Sequence, residues 1–122
     1  MNPVVHFEIP VADMKAAKEF YKKVFGWKIG SMDPHYAMIT TVPEGSTGLA
    51  GGINGGMMTG VKGPKGSVVV VSVPSIDKHV VKIEKAGGKI TLKKISLHDM
   101  GFYARFKDLD GNVLGLWEEI KK

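Results

Sequence analysis

Two side chains that can exchange protons stand two positions apart near the start of the chain. His6 and Glu8 alternate with Val5, Phe7 and Ile9, which is the pattern of a strand with one apolar and one polar face. A histidine and a carboxylate on one face can act together as a general acid and base. The pair also has a structural interpretation, in which His6 hydrogen-bonds to Glu8 or to a backbone carbonyl. Both interpretations are open.

The elements that must position these residues follow in an order that repeats. A strand at 4–11, a helix at 13–25 and strands at 27–31, 35–42 and 49–58 are predicted from apolar periodicity and turn residues. A glycine-rich segment at 60–66 follows, and glycines within the fourth strand predict a bulge or a close approach by another backbone. The order then restarts with a strand at 67–73, a helix ending at Gly87-Gly88, and strands at 89–93, 101–107 and 112–118.

The two halves of the chain align through their helix signals. Asp13 and Ser75 are both suited to cap a helix N-terminus. Placing one on the other aligns further residues of matching type: Met14 with Ile76, Tyr21 with Ile83, and Gly26 with Gly88. The sequence therefore predicts one domain over 1–122 with an internal repeat: a first module at about 1–58, a linker at about 59–66 and a second module at about 67–122.

Composition narrows the class of protein. Apolar residues make up 43% and charged residues 24% of the chain, as in soluble globular domains. The absence of cysteine excludes disulfides and thiolate metal sites and suits the cytoplasm, the expected location. No apolar run spans a membrane and the first residues do not resemble a secretory signal, so we expect no membrane partner. The net charge of +5 attracts anions, but the lysines are spread over several elements, and we expect no nucleic-acid partner.

Three motifs resemble one protein superfamily. They are H-F-E-I-P-V-x-D in the first strand, F-Y-K-K-V-F-G-W at the end of the first helix, and F-x-D-x-D-G-N-V-L-G-L-W near the end of the chain. In this order they resemble the vicinal oxygen chelate superfamily of glyoxalase I, bleomycin-resistance proteins and extradiol dioxygenases. The resemblance implies an α+β fold of two βαβββ modules, whose sheets form an open, barrel-like curl with helices outside. It also implies a homodimer and a site inside the curl.

Metalloenzymes of this superfamily hold a divalent ion with four ligands, two from each module. By this resemblance His6 occupies the first ligand position, but Val68 and Gly115 occupy two others. The remaining ligand should come from the fourth strand, and no Asp, Glu, His or Cys lies between Glu44 and Asp77. Catalytic metal sites need three or more strong ligands. We therefore expect no metal cofactor, although a divergent site with Glu8 as a substitute ligand remains an alternative.

Alternation along the strands predicts which side chains line the cleft that the resemblance implies. The mixture is largely apolar and aromatic with a few polar groups, as in small-molecule sites. The predicted lining residues are His6, Glu8, Val68, Val70, Tyr103, Arg105, Gly115 and Trp117. Structural alternatives exist: Glu8 and Arg105 can form a buried ion pair, and Trp117 can belong to the core or a dimer interface.

Two functions are compatible with this cleft. The first is metal-free binding of a small apolar or aromatic metabolite, which the bleomycin-resistance resemblance implies. The second is a glyoxalase-type lyase or isomerase, in which His6 and Glu8 act as a catalytic acid–base pair or a divergent metal site operates.

Overall fold

The computed structural model describes residues 1–42, 52–60 and 65–120. The chain divides into two compact units, one formed by His6–Ser67 and the other by Met1–Val5 with Val68–Lys122. We call them the first module and the second module. Within the described residues, each has one helix and a mixed sheet, and the element order strand, helix, strand, strand, strand occurs twice. The predicted α+β class with two βαβββ modules is confirmed.

The first module is built from one helix and four described strands. They are β1 (Val4–Pro10), α1 (Met14–Phe25), β2 (Lys28–Asp33), β3 (Tyr36–Thr40) and β4 (Gly55–Met58). The strand order is β2, β3, β4, β1. The β1–β4 pair is parallel and the other two pairs are antiparallel. This arrangement brings β1 and β3 to opposite sides of β4.

Helix α1 begins and ends where its capping residues predict. The Asp13 carboxylate accepts a hydrogen bond from the Ala16 backbone N–H at 3.0 Å, which satisfies one of the unpaired donors of the first turn. At the other end Gly26 has φ 69°, a left-handed conformation that glycine adopts without steric cost. Its N–H donates to the Lys22 carbonyl at 2.9 Å.

One face of the first sheet packs against α1. The buried centre of this packing consists of Ile29, Ala37, Ile39 and Met57, and the partly buried residues around it are Phe7, Ile9, Val11, Met14, Ala17, Tyr21 and Trp27. The alternate residues of β1 and β3 therefore lie on the opposite face. We call the sheet face opposite the helix the far face of a module.

The second module repeats the arrangement. Its elements are β5 (Val68–Ser72), α2 (Ile76–Lys85), β6 (Lys89–Ser96), β7 (Gly101–Lys107) and β8 (Val113–Glu119). The strand order is β5, β8, β7, β6, with β5 and β8 parallel and the other pairs antiparallel.

Helix α2 starts at a double cap. Ser75 Oγ accepts from the Lys78 N–H at 3.2 Å, and the Glu118 carboxylate of β8 accepts from the Ile76 N–H at 2.7 Å. The helix packs on residues of β5, β7 and β8; the cluster contains Val71, Val73, Ile76, Val80, Ile83, Phe102, Ala104, Phe106 and Leu116. Phe102, Ala104 and Phe106 of β7 lie toward the helix, and they alternate with Tyr103 and Arg105, which the sequence predicts for the other face. Neither described helix is long and apolar enough to cross a membrane.

Some sequence predictions need correction. The alternation along β1 places Val5 on the apolar face of the strand, but Val5 is 42% exposed. Strand β6 continues to Ser96, beyond the predicted end at 93. The start of the predicted fourth strand at 49–51, the turn at 43–46 and the part of the glycine-rich segment at 61–64 lie outside the described residues.

The Asp13 cap makes a measurable contribution to stability. We expect Asp13→Ala to lower the free energy of unfolding by about 1 kcal/mol, because the Ala16 N–H loses its acceptor. Urea denaturation followed by circular dichroism measures the change. Lys15→Ala, at an exposed position of the same helix, is the control. An equal change in both variants would show that the cap is not the cause.

Candidate functional site

The far face of the first module carries a chain of three hydrogen-bonding side chains. His6 Nε2 lies 3.0 Å from the Tyr36 hydroxyl oxygen. The same hydroxyl donates to Glu8 Oε2 at 3.1 Å. Glu8 is only 5% exposed, and a buried carboxylate is stable only when donors surround it. Tyr36 therefore links the imidazole and the carboxylate that the sequence predicted to act together.

The strand register explains how Tyr36 reaches this position. Gly56 of β4 pairs with Glu8 on one side and with Met38 of β3 on the other, so these three residues form one row across the far face. Tyr36 stands two residues before Met38 on the same face. Its ring leans over Gly56, and a Cβ built on Gly56 would overlap the phenol oxygen and ring. A glycine is required because the tyrosine ring occupies the volume of the missing side chain.

The second module carries a related arrangement. Gly115 of β8 pairs with Val70 of β5 and with Arg105 of β7, which again forms a row across the far face. Tyr103 stands two residues before Arg105, and a Cβ on Gly115 would meet the Tyr103 hydroxyl at 2.8 Å. Arg105 Nε donates to this hydroxyl at 2.9 Å. The ring of Trp117 covers Gly101 of β7 in the same manner.

The two far faces correspond position by position. The strand pairings show that Tyr36 of the first module is equivalent in position to Tyr103 of the second, and that Gly56 is equivalent to Gly115. The residues beside them differ in charge, since the first row carries Glu8 where the second carries Val70, and the second carries Arg105 where the first has Met38. Each module therefore repeats a tyrosine over a glycine but presents a different charged group.

The predicted site residues fall into two groups. His6 and Glu8 lie together in the first module, while Val70, Tyr103, Arg105, Gly115 and Trp117 lie on paired positions of the second module. Val68 is on the same strand as Val70, and both are almost completely buried, at 0% and 1% exposed.

Tyr36 is not among the site residues that the sequence predicts. The sequence does contain a pattern that indicates the orientation of Tyr36, because Tyr36 alternates with the apolar core residues Ala37 and Ile39. That alternation puts Tyr36 on the far face, but only the β3–β4 register shows that it reaches His6 and Glu8.

Burial changes the protonation of His6. The desolvation of the partly buried ring lowers the pKa of His6 below its usual 6.5, and the negative charge of Glu8 opposes this effect. Removing a cation from water disfavours the charged imidazolium. Neutral imidazole is therefore the favoured form of His6 at neutral pH.

Few metal-ligating atoms stand at the positions that the resemblance assigns to metal ligands. No group of three or more His, Cys, Asp or Glu side chains among the described residues comes close enough to hold a metal ion. His6 Nε2 is engaged by Tyr36, the Val68 side chain has no donor atom, and Tyr103 covers Gly115.

An open surface hollow of about 490 Å³ lies elsewhere on the second module. Residues at the start of the chain, after β5 and at the end of β8 form it: Met1, Asn2, Pro3, Ser72, Val73, Pro74, Glu119 and Ile120. None of the predicted site residues lines this hollow. The hydrogen-bonded residues of the far faces are the stronger candidate, because they combine burial, charge and convergent polar groups.

Comparison with known proteins agrees with this architecture. The family model described as bleomycin resistance protein-like N-terminal matches residues 4–42, the segment that contains His6, Glu8 and Tyr36. A glyoxalase/bleomycin resistance protein/dioxygenase superfamily member from Vibrio splendidus 12B01 shares 16% identity with a TM-score of 0.67, covering 98% of this chain and 100% of that chain. This chain has the vicinal oxygen chelate fold. The fold that the three sequence motifs imply is thereby confirmed.

Proteins with different activities share this fold. Methylmalonyl-CoA epimerase from Mycobacterium tuberculosis is 16% identical, with a TM-score of 0.69 over 97% of this chain and 88% of that chain. A structure described as NAD-dependent benzaldehyde dehydrogenase from Legionella pneumophila is 16% identical, with a TM-score of 0.66 over 94% and 98%. No curated protein matches the sequence. At these identities the similarity establishes the fold, and function must be argued from the site.

The contact between Tyr36 and Gly56 can be tested by substitution. We expect Gly56→Ala to lower the free energy of unfolding by about 1–3 kcal/mol, because the added methyl group displaces the ring and overpacks the site. Gly30→Ala is the matched control, since a Cβ at Gly30 of β2 meets nothing within 4 Å. Urea denaturation of both variants measures the difference.

A second background isolates the cause of this loss. In Tyr36→Ala the ring is absent, so the additional Gly56→Ala change should cost much less than it does in the original protein. Equal costs in the two backgrounds would show that the glycine is needed for a reason other than the tyrosine.

The lowered pKa of His6 predicts a pH dependence of stability. Near pH 6.5 the unfolded chain takes up a proton at His6 that the folded chain accepts only at lower pH, so the unfolded state binds more protons. The free energy of unfolding should therefore decrease as the pH falls from 6.5 through the folded pKa. Urea titrations at a series of pH values measure this slope.

His6→Gln should flatten that slope, because the titrating group is removed. His98→Asn is the control, since His98 is exposed on the turn before β7 with φ 55°, a conformation that asparagine tolerates. A slope that persists unchanged in His6→Gln would assign the pH dependence to other groups.

Proposed function

We propose that this protein binds a small apolar or aromatic metabolite without a catalytic metal, and that His6, Glu8 and Tyr36 provide polar contacts. The supporting observation is the hydrogen-bonded set His6–Tyr36–Glu8 at the position where the superfamily's metalloenzymes begin their ligand set. Preorganised polar groups on a largely apolar face are typical of small-molecule sites. Because the set is already connected, little ordering is required on binding.

The proposal is tested by ligand screening in the presence of a chelator. Thermal denaturation of protein kept in EDTA is measured against a library of small aromatic and aliphatic compounds. A ligand that raises the midpoint in EDTA, and raises it less in Tyr36→Phe and Glu8→Gln, supports the proposal. If binding requires a stoichiometric metal, or if none of the compounds raises the midpoint, metal-free binding is wrong.

Arg105 is the proposed contact for an anionic ligand group. Its guanidinium is oriented by the Nε hydrogen bond to Tyr103 at 2.9 Å, and hydrogen bonds between charged groups are worth about 1.5–3 kcal/mol. Benzoate and benzyl alcohol are probes of similar shape that differ in charge. We expect Arg105→Ala to weaken benzoate binding about tenfold or more and to affect benzyl alcohol little.

Calorimetric titration measures both affinities. Lys107→Ala is the control, because this substitution also removes one positive charge, from an exposed position of the same strand. Equal losses for benzoate and benzyl alcohol, or a loss of benzoate binding in Lys107→Ala as large as in Arg105→Ala, would exclude Arg105 as the anion contact.

A second candidate function is an isomerase or lyase that moves a proton next to a carbonyl group. It is favoured by one observation: the neutral imidazole of His6 is connected through Tyr36 to a carboxylate, which is the arrangement of a general base with a supporting chain. Methylmalonyl-CoA epimerase shares the fold. Incubation of candidate carbonyl compounds in deuterium oxide, followed by proton NMR, tests this activity. Exchange that requires both His6 and Glu8 would support it.

The homodimer and the cytoplasmic location stay predictions from the sequence resemblance and composition. Light scattering of the purified protein and cell fractionation address them directly.

A further inference from the structure

The hydrogen-bond chain on the first far face has a direction. The Tyr36 hydroxyl has a single proton, which it donates to Glu8 Oε2. An ionised carboxylate can only accept hydrogen bonds. The hydroxyl oxygen is then left as an acceptor for the neighbouring imidazole nitrogen, His6 Nε2, at 3.0 Å.

This direction determines the tautomer of His6. Nε2 must carry a proton in order to donate to the Tyr36 oxygen. A neutral imidazole has one N–H, so the other ring nitrogen, Nδ1, bears a lone pair. The lowered pKa of His6 supports the neutral form.

The lone pair at Nδ1 is accessible. Among the described residues, none forms a hydrogen bond with His6 Nδ1. Every fully buried side-chain nitrogen or oxygen atom of the described residues has a hydrogen-bond partner, so Nδ1 is not fully buried. Nδ1 of the half-buried His6 therefore reaches solvent. It lies at the edge of a ring that is held on its other side by Tyr36.

We propose that Glu8 and Tyr36 hold His6 as the Nε2–H tautomer, so that Nδ1 accepts a hydrogen bond from an N–H or O–H group of the ligand. This inference rests on the proposed binding function and narrows its ligand class. The ligand combines an apolar or aromatic body with a hydrogen-bond donor. A molecule of the same shape without the donor leaves Nδ1 to water and binds less well.

The tautomer can be observed without any ligand. In protein labelled with ¹⁵N-histidine, two-dimensional NMR distinguishes the protonated from the unprotonated ring nitrogen of each of the four histidines. The His6 signals are identified by their loss in His6→Gln. We expect a protonated Nε2 and an unprotonated Nδ1 at neutral pH. A protonated Nδ1 would overturn the proposal.

Two matched variants connect the tautomer to the chain of hydrogen bonds. Tyr36→Phe removes the acceptor of Nε2–H, so His6 should become a mixture of tautomers. Tyr21→Phe removes the same hydroxyl from a residue that packs in the helix-side cluster of the same module, and should leave the His6 signals unchanged. An unchanged tautomer in Tyr36→Phe would show that Tyr36 does not hold the ring.

Phenol and anisole test the acceptor role. They have similar shape, but only phenol has an O–H group. Addition of phenol should shift the Nδ1 resonance strongly, and anisole should shift it little. Equal shifts, or no shift with either compound, would exclude this ligand class. The two proposals can fail separately. The expected tautomer with no ligand in the screen overturns the binding function and leaves only the tautomer assignment standing, whereas ligand binding with the opposite tautomer overturns this inference and leaves the binding function standing.

Discussion

A buried carboxylate is the constraint on which the first module depends. Glu8 is almost fully buried on a strand of the sheet, and an ionised group in such a place must receive hydrogen bonds or lose its charge. Tyr36 supplies one donor from β3. The ring can only reach across because Gly56 leaves room on the strand between them. The position of His6, the bare glycine and the orientation of the phenol all follow from this requirement.

The second module has the same strand pairing as the first, but its row carries a positive charge instead of a negative one. Its tyrosine also lies over a glycine, but the hydroxyl accepts from Arg105, and Val70 stands at the position of β5 that corresponds to Glu8. The tyrosine hydroxyl can serve both modules because it is donor and acceptor at once. The two modules therefore share the geometry of the row and differ in the charge that it carries.

Much of this architecture could be predicted from the sequence. Periodicity identified both helices, and Asp13 and Ser75 were correctly interpreted as their caps. The face of β7 was predicted because Tyr103 and Arg105 alternate with apolar residues. Tyr36 was missed as a site residue because its role depends on the register between β3 and β4, which local patterns do not encode. The exposure of Val5 was missed for a similar reason, since alternation indicates a face but not what covers it.

The tyrosine that lies over Gly56 limits the order in which this surface can evolve. A carboxylate or histidine at that glycine would collide with the phenol ring, so a single replacement there is destabilising while the ring remains. Loss of the tyrosine must come first, and that step removes a donor from the buried Glu8. A variant with a carboxylate or histidine at position 56 is therefore reached only through a variant whose fold is less stable. The two positions are therefore coupled, because each residue limits which side chains the fold tolerates at the other position.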